Sequence, residues 1–325
     1  MKKLPGLWYD PKHKGFWRGL SFELSHNRVL YLMVLPAVLL TLVYRYLPML
    51  FVVISFQDYS FAHGLGIMGI INSPFVGFKH FAELFTIPDF GLKFTNTLVI
   101  GLGKQIINFS GGLMLALLLY EMSNRFLRNA VRVVTLFPYM ISWAVAGAIF
   151  SGMMQSNGLF NAVIARLAPG ASAVGFLIDP RYFKPIIILT EGWKYMGLMG
   201  ALFYASLLGI DITLYEFSSV DGASRWDQFL HITLPSIRTT MIVVALLNLQ
   251  YIVNVGPDQV LMFLNPNVYS TGDIIPTYVY RQAIFFGNYS WATAVGLSQS
   301  VLAFIMVIFA NSLARKFDEN RTGLW

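Results

Sequence analysis

Six separate stretches of this chain are long and apolar enough to cross roughly 30 Å of hydrocarbon as α-helices, each of which needs about 20 mostly apolar residues. They fall at Leu30–Phe56, Phe94–Leu119, Ala130–Met154, Pro185–Gly209, Thr239–Leu264 and Trp291–Leu313. Lipid offers the backbone no hydrogen-bond partners, so a spanning segment must satisfy its own N–H and C=O groups, as a helix does. The fold class that follows is an all-α polytopic membrane protein with six transmembrane helices. Composition agrees. Of 325 residues, 56% are hydrophobic and only 12% charged, where a soluble domain carries about 25%. Pro36, Pro48 and Pro138 are expected to kink or start helices, because neighbouring helices can satisfy the freed carbonyls.

The Lys and Arg residues between spans set the orientation. One side holds Lys2, Lys3, Lys12, Lys14, Arg18 and Arg28, then Arg125, Arg128 and Arg132, then Arg225 and Arg238, and finally Arg315, Lys316 and Arg321. The other holds Lys79, Lys93, Arg166, Arg181, Lys184 and Arg281. The richer side is cytoplasmic, so both termini are placed in the cytoplasm. The net charge of +7 is explained by these loops and does not call for a nucleic-acid partner. There is no cysteine, which excludes a disulfide framework, iron–sulfur clusters and thiolate zinc sites. No short apolar core with a cleavage site follows Lys2 and Lys3, so no signal peptide is expected. Residues 1–29 form an arm in which Leu7, Trp8, Phe16, Trp17, Leu20, Phe22 and Leu24 interleave with basic residues. It is either an interfacial helix on the inner leaflet or an ordinary aromatic anchor. The remaining organisation is a first span with its outer loop (30–93), a five-helix core (94–313) and a tail (314–325).

The most informative segment is polar. Antiparallel helices need only about 2–8 residues to connect, yet residues 210–238 form a connection of 29. Glu216 to Val220 reads as a short helix. Asp221-Gly222 is a turn, since Gly takes positive φ without steric cost. Ser224 caps a second short helix, and Leu234-Pro235 is expected to end it and lead into span five. A compact helix–turn–helix of this kind has the shape of a docking element.

This segment resembles the EAA loop of permease subunits in binding-protein-dependent ABC importers, whose pattern is E-A-A, three residues, G, nine residues, I-x-L-P. Glu216, Gly222, Ile232, Leu234 and Pro235 fall in register, with Phe217 and Ser218 in place of the two alanines. Arg45-Tyr46-Leu47-Pro48, Phe75-Val76-Gly77-Phe78 with Phe81, Asn96-Thr97-Leu98, Phe137-Pro138 with Ile141-Ser142-Trp143, Asp273 to Tyr280 and Ala294-Val295-Gly296-Leu297 resemble its carbohydrate-uptake branch. The likeness covers about residues 25–320. It includes permeases for complex oligosaccharides, among them uronate-containing ones such as aldouronates and alginate. The resemblance implies a type I ABC importer permease fold in a bacterial cytoplasmic membrane. It also implies four partners: a second permease, most simply a different chain, an ATPase dimer, an extracytoplasmic solute-binding protein and an oligosaccharide substrate. The residues expected to couple to the ATPase are Glu216, Ser218, Asp221, Gly222, Ala223, Arg225 and Pro235.

No catalytic motif accompanies this. The sequence lacks G-x-x-x-x-G-K-[ST], so ATP and Mg are expected in a partner and no cofactor in this chain. Gly64-Leu65-Gly66-Ile67-Met68-Gly69 spells a dinucleotide fingerprint but sits in an outer loop with no strand before it. The five His residues show no pair at metal-ligand spacing, and His231 reads as structural.

Charges within spans are functional candidates. Arg45, Lys104 and Lys194 lie about 9–11 residues from the outer ends of their helices, roughly 15 Å down. If Lys104 or Lys194 faces a cavity, an anionic oligosaccharide gains a favourable field. The plainer reading pairs Glu191 with Lys194 on one helix face and lets Arg45 cap carbonyls at a kink. On span five, Asn248, Gln250, Tyr251 and Asn254 either contact sugar or hold helices together. The rival function is a secondary transporter of a sugar or organic anion, which needs coupling-ion carboxylates and inverted repeats. Only Glu191 qualifies, and no repeat is evident.

Overall fold

The computed structural model describes residues 26–317, which are almost entirely helical. The two readings of the N-terminal arm lie almost wholly outside that range, as does most of the tail. In chain order, α1 is Arg28–Phe56 and α2 Phe90–Glu121. Next come α3 (Arg125–Leu136), α4 (Trp143–Met154), α5 (Leu159–Leu167), α6 (Pro180–Leu207) and α7 (Ile212–Val220). They are followed by α8 (Arg225–Val253), α9 (Pro257–Phe263), α10 (Ile275–Phe286) and α11 (Tyr289–Phe317). We call the side of α7 inner, following the Lys and Arg distribution.

Five helices, α1, α2, α6, α8 and α11, are long and apolar enough to span a membrane unaided. The third expected span is not one helix. Residues 125–140 and 143–167 meet at a bend of 101°. After Pro138, a short 3₁₀ turn gives way to extended backbone at Ile141, and Ser142 caps α4 by accepting the Val145 N–H. The fifth span also departs from expectation. It starts in the loop at Arg225 and stops at Val253, short of Leu264. Gly256-Pro257 then begins α9 in a new direction.

Leu234-Pro235 does not end a helix as the sequence led us to expect. α8 runs through it by way of a π turn at Phe229–Thr233, where the Leu234 N–H reaches Phe229 O five residues back. Proline lacks an N–H and crowds the carbonyl four residues before it. A π turn loosens the ladder at that carbonyl and lets the helix continue. α1 repeats the device: a π turn at Leu42–Tyr46 precedes Leu47-Pro48.

The bundle is organised around the long contact of α2 with α6, where Gly112 faces Met199 and Gly200 closely enough to exclude a Cβ. Small residues let membrane helices approach and gain dispersion contacts that lipid cannot replace. One apolar core, with Ile100, Phe183, Ile187, Val260 and Phe263, fills the outer half. A second, with Leu119, Phe203, Leu207 and Ile237, fills the inner half. By contrast, no α1 residue between Arg28 and Leu50 is buried.

Candidate coupling loop and transport path

The inner loop is built from local rules. The Asp211 side chain accepts the Thr213 N–H at 3.0 Å and caps α7. That backbone hydrogen bond lowers the Asp211 pKa. α7 ends at a left-handed glycine, Gly222 at φ 82°. Two backbone bonds close the end, from Ala223 N–H to Ser218 O at 3.0 Å and from Gly222 N–H to Ser219 O at 3.2 Å. This pairing satisfies carbonyls that a helix end otherwise leaves bare. Ser224 then starts α8 with a capping box. Its Oγ accepts the Asp227 N–H at 3.2 Å, and Asp227 Oδ2 accepts the Ser224 N–H at 3.0 Å.

Gln228, which the sequence did not single out, joins the two halves. Its buried amide nitrogen lies 3.0 and 2.9 Å from the Ser218 and Ser219 hydroxyls. Tyr215 and Thr233 hydroxyls meet at 2.9 Å, and Arg225 reaches Glu121 at the inner end of α2 at 3.0 Å. The Ser224-x-x-Asp227 spacing is a capping signature readable in the sequence; nothing in it marks Gln228. His231 Nδ1 sits 3.0 Å from Asp227 O, a local structural contact.

The expected coupling residues divide by role. Ser218, Gly222 and Ala223 build the turn, and Pro235 lies beyond it in α8. Glu216, Asp221 and Arg225 are exposed. Beside them stand three large apolar side chains, Phe217 (71% exposed), Val220 (86%) and Trp226 (64%). A cleft of about 1110 Å³ lined by Tyr120, Glu121, Tyr215, Glu216, Arg225 and Trp226 opens beside them. The loop is held rigidly while its apolar face stays uncovered.

The charges within the spans are arranged differently from the sequence reading. Glu191 does not pair with Lys194. Its Oε2 lies 3.2 Å from Lys104 Nζ on α2, with both side chains largely buried. Lys194 places its ammonium against the Pro138, Tyr139 and Ile141 carbonyls, satisfying backbone freed at the break between α3 and α4. Arg45 is exposed and makes no hydrogen bond or ion pair among the described residues, so it does not cap the kink in α1. Lys104 is thus paired with a carboxylate, and Lys194 is engaged by backbone carbonyls.

Of the span-five residues, only Asn248 joins other polar groups. It lines a cleft of about 290 Å³ with Gln105 and Asn108 of α2. Asn108 is buried and its Oδ1 meets no donor among the described residues. Tyr251 is exposed, Gln250 bonds locally to Leu247 O at 3.2 Å, and Asn254 sits at the end of α8. Gln105 and Asn108 could have been found as amides three apart on one face of an apolar helix.

The model for binding-protein-dependent transport system inner membrane components matches residues 111–320. The chain belongs to that family. It is 36% identical to Protein LplB of Bacillus subtilis (strain 168) over 93% of this chain and 94% of that one. It is 35% identical to the polygalacturonan/rhamnogalacturonan transport system permease protein YteP of the same organism, over 92% of each. Among solved structures, a chain of a bacterial ABC transporter involved in the import of alginate matches with a TM-score of 0.82 at 30% identity. The match covers 92% of this chain and 99% of that one. The fold is accordingly the type I ABC permease fold of a multi-pass inner membrane protein, and the chain is a sugar-importer permease of the carbohydrate-uptake branch.

Proposed function

We propose that this permease forms half of the translocation path for an oligosaccharide and is driven by a partner ATPase seated on the α7–α8 loop. The observation that carries this is the uncovered apolar face of Phe217, Val220 and Trp226 on a turn locked from both sides. Exposed large apolar groups on a rigid, otherwise polar element fit a partner's groove. Glu216, Asp221 and Arg225 then supply polar contacts around that face. ATP and Mg are bound by the ATPase, and this chain contributes no catalytic group. A second permease completes the path and a solute-binding protein delivers the sugar. A structure of a related transporter includes an alginate pentasaccharide-bound periplasmic protein, which supports that arrangement. Both termini lie in the cytoplasm, following the basic loops.

The substrate reading is an oligosaccharide that includes uronate chains. It rests on what the polygalacturonan/rhamnogalacturonan and alginate relatives carry, not on the buried lysines. Asn248, Gln105 and Asn108 offer neutral hydrogen bonds to hydroxyls at mid-span, and Tyr251 offers a ring face. The chain has no cysteine, so single-cysteine variants test the loop cleanly. Val220→Cys and Trp226→Cys in the assembled transporter are expected to cross-link to the ATPase, whereas Gly170→Cys in the opposite-side loop is not. Absence of cross-links from both loop positions in an active transporter overturns the coupling role.

A further inference from the structure

We infer that α3 carries a binding site for an anionic phospholipid of the inner leaflet. The site lies in the cleft between α3 and α6, and the inference does not depend on what is transported.

α3 is strongly amphipathic. Arg125, Asn129, Arg132 and Leu136 recur at spacings of four, three and four, which puts them on one stripe. Phe126, Val133, Val134 and Phe137 stand exposed on the adjoining flank. The stripe borders a cleft of about 410 Å³ lined by Leu119, Asn129, Arg132, Val133, Leu136 and Ala201, among others. Depth is fixed by α6. Arg132 lies over the ring of Tyr204, at 5.1 Å from the centroid, three residues from the inner end of α6. Thr135 packs its carbonyl against Gly197, ten residues from that end. At about 1.5 Å per residue, Arg132 sits at headgroup depth and Arg125 about two turns nearer the cytoplasm. Leu136 and the apolar cleft wall sit roughly one to two turns further into the hydrocarbon.

Charge balance points to an anion. Among the described residues no carboxylate pairs with Arg125, Arg128 or Arg132. The nearby Glu121 is taken by Arg225, and Arg128 donates to Met122 O. A guanidinium held over a tyrosine ring keeps N–H donors that suit phosphate oxygens. A basic pocket at the cytoplasmic end of spanning helices fits a phospholipid headgroup. The polar mouth with an apolar floor matches a molecule that is charged at one end and aliphatic at the other.

The test is native mass spectrometry of the full-length chain released from bilayers of phosphatidylglycerol mixed with phosphatidylcholine. Retention of phosphatidylglycerol over phosphatidylcholine is expected. Arg132→Gln is expected to weaken it about fivefold and Arg125→Gln with Arg132→Gln about 25-fold, from the usual gain per arginine at a lipid surface. Arg132→Lys keeps the charge and retains most of the preference, which separates loss of binding from loss of folding. Arg181→Gln, an exposed residue paired with Asp179, leaves retention unchanged, and millimolar inorganic phosphate does not displace the lipid. Equal retention of both lipids by the wild type, or full retention by the double variant, overturns the inference. So does a photo-cross-link from Asn129 to another polypeptide in place of lipid.

Discussion

Gly222 is where one substitution should separate transport from assembly. Its φ of 82° lies in the left-handed region, which costs an L-residue roughly 1–2 kcal/mol. A β-branched side chain pays more, up to about 3 kcal/mol. No atom lies within 4 Å of an added Cβ, so the penalty is conformational and not a clash. Two backbone hydrogen bonds and the Ser224–Asp227 capping box hold the turn, at about 1 kcal/mol each. Strain in the valine variant is therefore close to the whole local holding energy. The turn is expected to spend about half of its time outside the docked geometry. No span residue is touched, so insertion is preserved. Asn visits this region more readily than other non-glycine residues, which gives a graded series of Gly, Asn, Ala and Val. The assay is oligosaccharide-stimulated ATP hydrolysis by the reconstituted transporter, normalised to assembled complex. About a twofold loss in Gly222→Val is expected, since strain that cancels the holding energy leaves about half of the turns in the docked geometry, with Asn and Ala between. Stimulation in Gly222→Val equal to wild type would refute both the strain argument and the role of the turn.

Removing one member of the buried Lys104–Glu191 pair leaves its partner uncompensated, which costs about 3–5 kcal/mol. Lys104→Met should therefore lower the thermal midpoint in detergent sharply, and Lys104→Met with Glu191→Gln should recover most of it; no recovery would mean the pair is not the reason. Lys194→Met strips the donor from the Tyr139 and Ile141 carbonyls at the break in span three, at about 1–3 kcal/mol per bare acceptor. It should lower the midpoint as well, whatever the charge of the oligosaccharide supplied, whereas a loss confined to uronate transport would return Lys194 to the path.

Most of the spans and the α7–α8 turn were legible because both follow from local rules. Apolar length sets a membrane helix, and Asp221-Gly222-Ala223-Ser224 carries its own end signals. The breaks were not legible, because proline alone does not decide. Pro48 and Pro235 are absorbed by π turns, whereas span three parts at Ile141-Ser142 and span five at Gly256-Pro257. Whether a freed carbonyl is tolerated depends on what packs beside it. At span three that is Lys194, 53 residues away from Ile141 in sequence. The ion pair was misread for the same reason. Glu191 and Lys194 are neighbours along one helix, but rotation about α6 aims one at α2 and the other at the α3–α4 break. Gln228 and the Asn108–Asn248 grouping likewise exist only once helices are packed.

The direct test of the account is energetic coupling in a defined system. The chain would be purified through a tag with its co-assembling subunits, reconstituted in proteoliposomes, and assayed for ATP hydrolysis and oligosaccharide uptake. Both should require the ATPase and the sugar-loaded binding protein, and the chain alone should hydrolyse no ATP. Uptake by the chain alone, driven by an ion gradient without ATP, would contradict it.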